Sequence, residues 1–161
     1  MLRLIKVLTM FVLLVFFVSC SSQSSKNLNP SEIMPEMSIA KFEEVKKSYV
    51  GKVILVNFFA SWCPPCKAEI PDFIKIYEKY KDKFVIIGLS VDDDLQKAAN
   101  FVVNQKITYP VYHAERALET KMNVSSIPVN IFYKPDGTLL NFYVGALNED
   151  FVESVIKSQF R

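Results

Sequence analysis

Trp62-Cys63-Pro64-Pro65-Cys66 stands between an apolar run and a stretch of helical periodicity. Two cysteines at that spacing can close a disulfide, supply half of a four-ligand metal site, or do nothing chemical. Zinc needs more ligands, and the only other cysteine and histidine are Cys20 and His113. A purely structural disulfide around so small a loop would add little, because its entropic benefit grows with loop length. Thiol-disulfide exchange is the reading that remains. Placed at a helix N-terminus, Cys63 feels the positive end of the helix dipole, which favours its thiolate. Cys63 is therefore the expected nucleophile, and Cys66, one turn further in, the resolving thiol. Pro64 and Pro65 suit a first helical turn, where backbone N–H groups have no intrahelical acceptor. They leave the Cys66 N–H as the first donor within the motif that can reach the Cys63 sulfur.

Glu69 follows Cys66 by three residues, roughly 60° around a helix. It flanks the apolar stripe of Ile70, Phe73 and Ile74, so partial burial near the thiols is plausible, although spacing alone favours an ordinary solvated glutamate.

The elements that must hold these residues are legible around them. Lys52 to Ala60 and Phe84 to Val91 are nearly continuous apolar runs, as expected of strands covered on both faces. Asp92, Asp93 and Asp94 precede an amphipathic helix and read as a cap rather than a metal site. Tyr109 to Tyr112 suggests a short extended piece and Ala117 to Met122 a short helix. Val129 to Tyr133 and Leu140 to Val144 flank a Pro135-Asp136-Gly137 turn, and an amphipathic helix closes the chain. Phe42, Val45 and Tyr49 suggest a helix covering the sheet edge. His113 reads as a loop residue, and Trp62 either packs beside the site or gives substrates an apolar platform. Alternating strands and helices, then a hairpin and a helix, predict an α/β sandwich.

The chain has 161 residues, with 19 basic and 17 acidic side chains. Both surplus charges, Arg3 and Lys6, precede an apolar run from Val7 to Val18. The remainder is formally neutral, which argues against a nucleic-acid partner. A basic start, a short apolar run and Ser19-Cys20 are marks of a secretory signal, too short for the ~20 residues of a membrane-spanning helix. Phe17-Val18-Ser19-Cys20 resembles the lipobox of bacterial lipoproteins, with Phe17 where Leu is usual, and implies lipid attachment at Cys20. The serine-rich segment after it reads as a tether. The expected division is a signal peptide over 1–19, a tether over 20–37 and a catalytic domain over 38–161. The expected location is the bacterial cell envelope, anchored to the membrane and facing the extracytoplasmic space.

From about Gly51 onward, VNFFASWCPPCKAEIP together with Ser126-Ile127-Pro128 resembles the TlpA/ResA/CcmG (DsbE-type) group of membrane-tethered thiol-disulfide oxidoreductases. The resemblance implies a thioredoxin-like α/β fold, a central mixed sheet flanked by helices, with an inserted βα unit. It implies that Cys63 and Cys66 are the redox pair, that Pro71 kinks the active-site helix, and that Pro128 is a cis-proline. It also implies that Glu69 handles protons for the buried thiol, since Asn57 stands where thioredoxins carry a buried Asp and cannot take a proton. Trp62, Ile127 and Pro128 would form the substrate groove. Val129 and Asn130 would line it too, and Asn130, a polar residue in a core strand, needs a partner. The implied partners are extracytoplasmic protein disulfides, such as those of apocytochrome c, and a thiol-type membrane electron donor. No cofactor beyond the redox-active disulfide and no metal is expected. An oxidase running the same chemistry backwards is one alternative. A Sco-like copper chaperone is another, opposed by the CxxC spacing and the position of His113. A peroxidase lacks the expected surroundings of its cysteine.

Overall fold

The computed structural model describes residues 29–160; the expected signal segment and Cys20 lie outside the described residues. The elements in chain order are α1 (Pro30–Ile33), β1 (Glu36–Met37), α2 (Ile39–Ser48), β2 (Val53–Phe59), α3 (Pro64–Tyr80) and β3 (Phe84–Ser90). They continue with α4 (Leu95–Asn104), β4 (Val111–Ala114), α5 (Arg116–Lys121), β5 (Val129–Tyr133), β6 (Leu139–Val144) and α6 (Glu149–Ser158). One six-stranded sheet has the order β1-β4-β3-β2-β5-β6. The strands from β1 to β2 run parallel, while β5 pairs antiparallel with β2 and β6 with β5. The α4–β4 pair places a strand between β1 and β3, as expected of the inserted βα unit.

Every residue of β2 and β3 is buried, because helices cover both faces of the sheet. Strand alternation sorts their side chains. Val53, Leu55, Phe59, Phe84 and Ile86 join Ile70, Phe73, Ile76 and Val152 in one core layer, the face of α3 and α6. Ile54, Val56, Phe58, Val85, Ile87 and Leu89 form the other layer with Phe42 and Leu118 of α2 and α5. Asn57 and Gly88 share the parity of the first set and so face α3. Helix α6 is fastened to α3 through Glu153, which accepts one hydrogen bond from Lys79 at 2.7 Å and one from the Tyr80 hydroxyl at 2.5 Å.

Three expectations change. Helix α2 covers a sheet face, not its edge: Phe42 shares a core with Ile54 and Val56 of the central strand. An apolar stripe is the same in either setting, so its spacing could not distinguish them. His113 is a strand residue of β4, paired in register with Glu36 and Ser90. Residues 30–37 are not tether. Asn29 caps α1 through its side chain, β1 pairs with β4, and Met34 and Met37 are buried. Two methionines among polar residues carry no periodic signal; pairing with a distant strand supplies the order. The folded domain therefore starts about eight residues before residue 38.

Met37→Ala is therefore expected to cost roughly 2–4 kcal/mol of unfolding free energy. Urea denaturation reads it directly, and a tether residue would show almost no change.

Candidate active site

Cys63 ends the loop after β2 and is the N-cap of α3; its backbone is extended and its sulfur accepts the Cys66 N–H at 3.3 Å. Pro64 and Pro65 occupy the first two helical positions, where missing donors cost nothing. Cys63 and Cys66 are joined by a disulfide with a Cα–Cα distance of 5.3 Å. The expected asymmetry between the sulfurs is small: Cys63 is 3% exposed and Cys66 fully buried. Trp62, by contrast, is 64% exposed, so it does not pack into the core and is available as a platform. Pro71 lies within α3, which is continuous from Pro64 to Tyr80.

Glu69, one turn beyond Cys66, is 1% exposed rather than partly buried. Three donors converge on its carboxylate. Asn57 Nδ2 donates to Oε1 at 2.7 Å, and Asn130 Nδ2 and the Leu147 N–H both donate to Oε2 at 3.1 Å. Burial pushes its pKa up to about 7, with the three donors pulling partly against it. Asn130 is the corrected member of the site. Its side chain is fully buried and bonded to Glu69, Asn57 and the Gly145 carbonyl. It does not line a groove, and nor does Val129, which is 1% exposed. Strand parity is the cause: Asn130 shares the face of Phe132, under α3. That same parity could have paired Asn57, Asn130 and Glu69 from sequence.

The Asp92–Asp94 run divides by role. Only Asp94 caps α4, accepting the Lys97 N–H at 3.0 Å. Asp93 is exposed and pairs with Arg116 at 3.5 Å. Asp92 is buried and clamps the loop that ends in Cys63. Its carboxylate accepts the Ser61 N–H at 2.9 Å, the Ser61 hydroxyl at 2.6 Å and the Ser90 hydroxyl at 2.8 Å. His113 Nε2 lies 3.0 Å from the Asp92 carbonyl oxygen and supports the same corner. This clamp had no signal in the sequence, because it joins residues 31 apart whose types are those of any cap or turn.

Ile127-Pro128 is a cis peptide bond, and Pro128 is buried with its carbonyl oxygen accepting the Gly145 N–H at 2.8 Å. Ile127 and Trp62 border a groove of about 250 Å³ whose walls also include Asp93, Arg116 and Glu119. The structure thus brings together Cys63, Cys66 and Glu69 on one helix, with Trp62 and Ile127 on the groove above. A dithiol at a helix N-terminus, a buried carboxyl of near-neutral pKa behind it and a groove of mixed polarity beside Trp62 are the parts needed for disulfide exchange with a peptide.

Comparison with known proteins agrees with that chemistry. The AhpC/TSA family model matches residues 31–142. A thiol-disulfide oxidoreductase ResA of Oceanobacillus iheyensis is 30% identical over 161 residues, covering 93% of this chain and 84% of that protein. The thioredoxin-like protein YneN of Bacillus subtilis is 24% identical over 82% of this chain and 81% of its own. Among solved structures, a thioredoxin-family thiol:disulfide interchange protein of Chlorobium tepidum superposes with a TM-score of 0.67 at 29% identity, over 72% of this chain and 85% of that one.

Glu69 imposes a pH dependence on folding whose sign is determined. Below about pH 4.5 it is protonated in both states. Between pH 4.5 and about 7 the unfolded chain ionises while the folded protein keeps its proton, so stability falls with rising pH. The gap of about 2.5 pH units corresponds to roughly 3 kcal/mol. The unfolding free energy of the oxidised protein, minus that of Glu69→Gln, should therefore drop by roughly that amount between pH 4 and pH 8 in urea titrations. A pH-independent difference would show Glu69 to be solvated.

Proposed function

The chain belongs to the AhpC/TSA family as a thioredoxin-fold thiol-disulfide oxidoreductase, and from that premise we propose that it reduces protein disulfides outside the cytoplasm through Cys63 and Cys66. The observation that carries this reading is the Cys63–Cys66 disulfide at the N-terminus of α3, with Glu69 buried one turn behind it.

In the reduced protein the Cys63 thiolate attacks one sulfur of a substrate disulfide and expels the other as a thiolate. Cys66 gives its proton to Glu69 and attacks the Cys63 sulfur of the mixed disulfide. The Cys63–Cys66 bond forms, the second substrate thiolate leaves, and two electrons have passed to the substrate. A thiol-type donor at the membrane restores the dithiol, and no cofactor besides the disulfide takes part. Trp62, Ile127 and Pro128 hold the substrate as an extended segment. Haem-binding cysteines of apocytochrome c, or other extracytoplasmic disulfides, are the proposed targets. The signal segment and lipid attachment at Cys20 would supply the membrane address. The carboxyl at Glu69 receives the proton that Cys66 must lose before it can resolve the mixed disulfide and returns it in the reverse step, so the direction of net transfer is set by the reduction potential of the Cys63–Cys66 pair.

Cys66→Ala is expected to accumulate mixed disulfides with envelope proteins through Cys63, seen as reductant-sensitive bands on non-reducing gels and lost when Cys63 is also replaced. Absence of any trapped partner would sink the proposal. A reduction potential near that of strong oxidants would reverse its direction. For Glu69→Gln, the pH dependence of single-turnover resolution should lose its inflection near pH 7.

A further inference from the structure

Among the described residues two buried side-chain atoms have no hydrogen-bond partner, Asn57 Oδ1 and Tyr109 Oη. An unpaired buried polar atom is costly, so two in one protein ask for an explanation. Both residues adjoin one position, Gly88 of β3. Asn57 of β2 is in register with Gly88 of β3, and partners in a parallel pair present their side chains to the same face. A Cβ at Gly88 would lie 3.2 Å from Tyr109 Cε2. The Tyr109 ring therefore fills the space that a side chain at 88 would occupy, and the carbon bonded to Cε2 carries the hydroxyl. Asn57, in register with that same position, has its amide bonded to Glu69, and Glu69 is near enough for its charge to raise the ionisation of the Tyr109 hydroxyl. Tyr109 is 3% exposed, yet it lines a cleft of about 750 Å³ bordered by Tyr77, Val102 and Ile107, so buried site and surface share it as a wall.

The groups around Glu69 suit only its charged form. Asn57, Asn130 and the Leu147 N–H all donate to it. A protonated carboxyl has an O–H of its own to place, and the acceptor left unused beside it is Asn57 Oδ1. We propose that Asn57 Oδ1, Tyr109 Oη and the Glu69 carboxyl frame a site for one water that completes the hydrogen bonding of Glu69 in both of its protonation states. With Glu69 protonated, the water accepts its O–H and donates to Asn57 Oδ1 and Tyr109 Oη. With Glu69 ionised, the phenol turns to donate to the water, which donates in turn to the carboxylate and to Asn57 Oδ1. Three polar partners are what a buried water ordinarily has. The phenol can serve both states because it donates and accepts and stays neutral: burial, with the charge of Glu69 adding to it, holds its ionisation well above the ordinary tyrosine range. The groups facing Glu69 are Asn57 from β2, Asn130 from β5, Leu147 from the loop before α6 and Tyr109 from the loop before β4, none of them charged. Asn57 and Tyr109 are thus positioning residues for the proton that Glu69 receives.

This inference rests on the reading of Glu69 as the proton acceptor for Cys66, and its test can fail separately. The titration of Glu69 is followed by the carboxyl ¹³C shift in the oxidised full-length protein, where neither active-site thiol contributes. Tyr109→Phe keeps the ring over Gly88 and removes only the hydroxyl. The phenol serves both states but the ionised one more strongly, because its donation there reinforces a charge-assisted bond to the carboxylate, so its loss should raise the Glu69 midpoint by about half a pH unit or more. A midpoint unchanged or lowered overturns the proposal. As a second readout, the wild-type Asn57 side-chain amide should show a cross-peak to a long-lived water that the Phe variant lacks; no such cross-peak in the wild type also overturns it. Failure of Glu69→Gln to alter resolution would remove the role of Glu69 in exchange and leave this hydration site standing.

Discussion

A carboxyl group buried in a sheet–helix interface must be surrounded by donors or stay protonated, and Glu69 does some of each. Its position on α3 is imposed by the distance from Cys66: one helical turn is as close as a side chain on the same helix can come while facing the sheet. Once there, it requires polar partners from the strands beneath. Asn57 on β2 and Asn130 on β5 supply them, directly opposite one another in the antiparallel pairing of those strands. Leu147 adds its backbone N–H from the loop that leads into α6. One buried acid therefore binds the active-site helix, two central strands and the start of the last helix into a single unit. Residues that would otherwise be anomalies, two asparagines in the middle of the core, become its counterparts.

The other end of the dithiol is held by a second carboxylate in a different state. Asp92 sits at the end of β3 and takes three donors from Ser61 and Ser90. It fixes the corner from which Trp62 and Cys63 project, so that the Cys66 N–H meets the Cys63 sulfur. The division is physical. Glu69 lies under the helix, closed off from bulk solvent, where its proton affinity is raised; Asp92 lies at the loop, saturated with hydrogen bonds, where it acts as an anchor. Both are placed by the carboxyl ends of adjacent parallel strands, the region in which an α/β sheet exposes its loops and gathers its sites.

How much of this was legible depended on the range of the interaction. The dithiol, its helix and its proline-filled first turn are local, written within a few residues, and the strands announced themselves as continuous apolar runs. Glu69 could be singled out by its spacing from Cys66, but spacing alone favoured solvent, because burial is decided by what covers a helix face. Asn130 was seen to need a partner without the partner being seen. The missing step was parity: Asn57 and Asn130 each alternate with residues of the α3-facing layer. Asp92, β1 and the Tyr109 contact depend on chain segments meeting from tens of residues apart, and their residue types are those of any cap, turn or strand end. Gly88 belongs to this group as well. In a strand it reads as a weak point, and only the phenyl ring that fills its place shows why a side chain is excluded there.

On the proposed function, the same geometry would separate recognition from proton chemistry. Asn57, Glu69 and Asn130 are buried beneath α3, where any change of size or polarity is felt by the whole core. Trp62, Asp93 and Arg116 stand on the surface around the groove, where Arg116 joins Asp93 across an exposed pair of little energetic weight. On the proposed function, substitution at the groove would change which substrate is held without altering the proton affinity of Glu69. Substitution below it would alter the thiol chemistry for every partner alike. With both cysteines almost wholly covered in the disulfide form, the thiol donor that the proposed function requires would first have to settle on the surface around them, where the indole of Trp62 stands exposed. Selectivity in such a site comes before the bond-making step rather than during it.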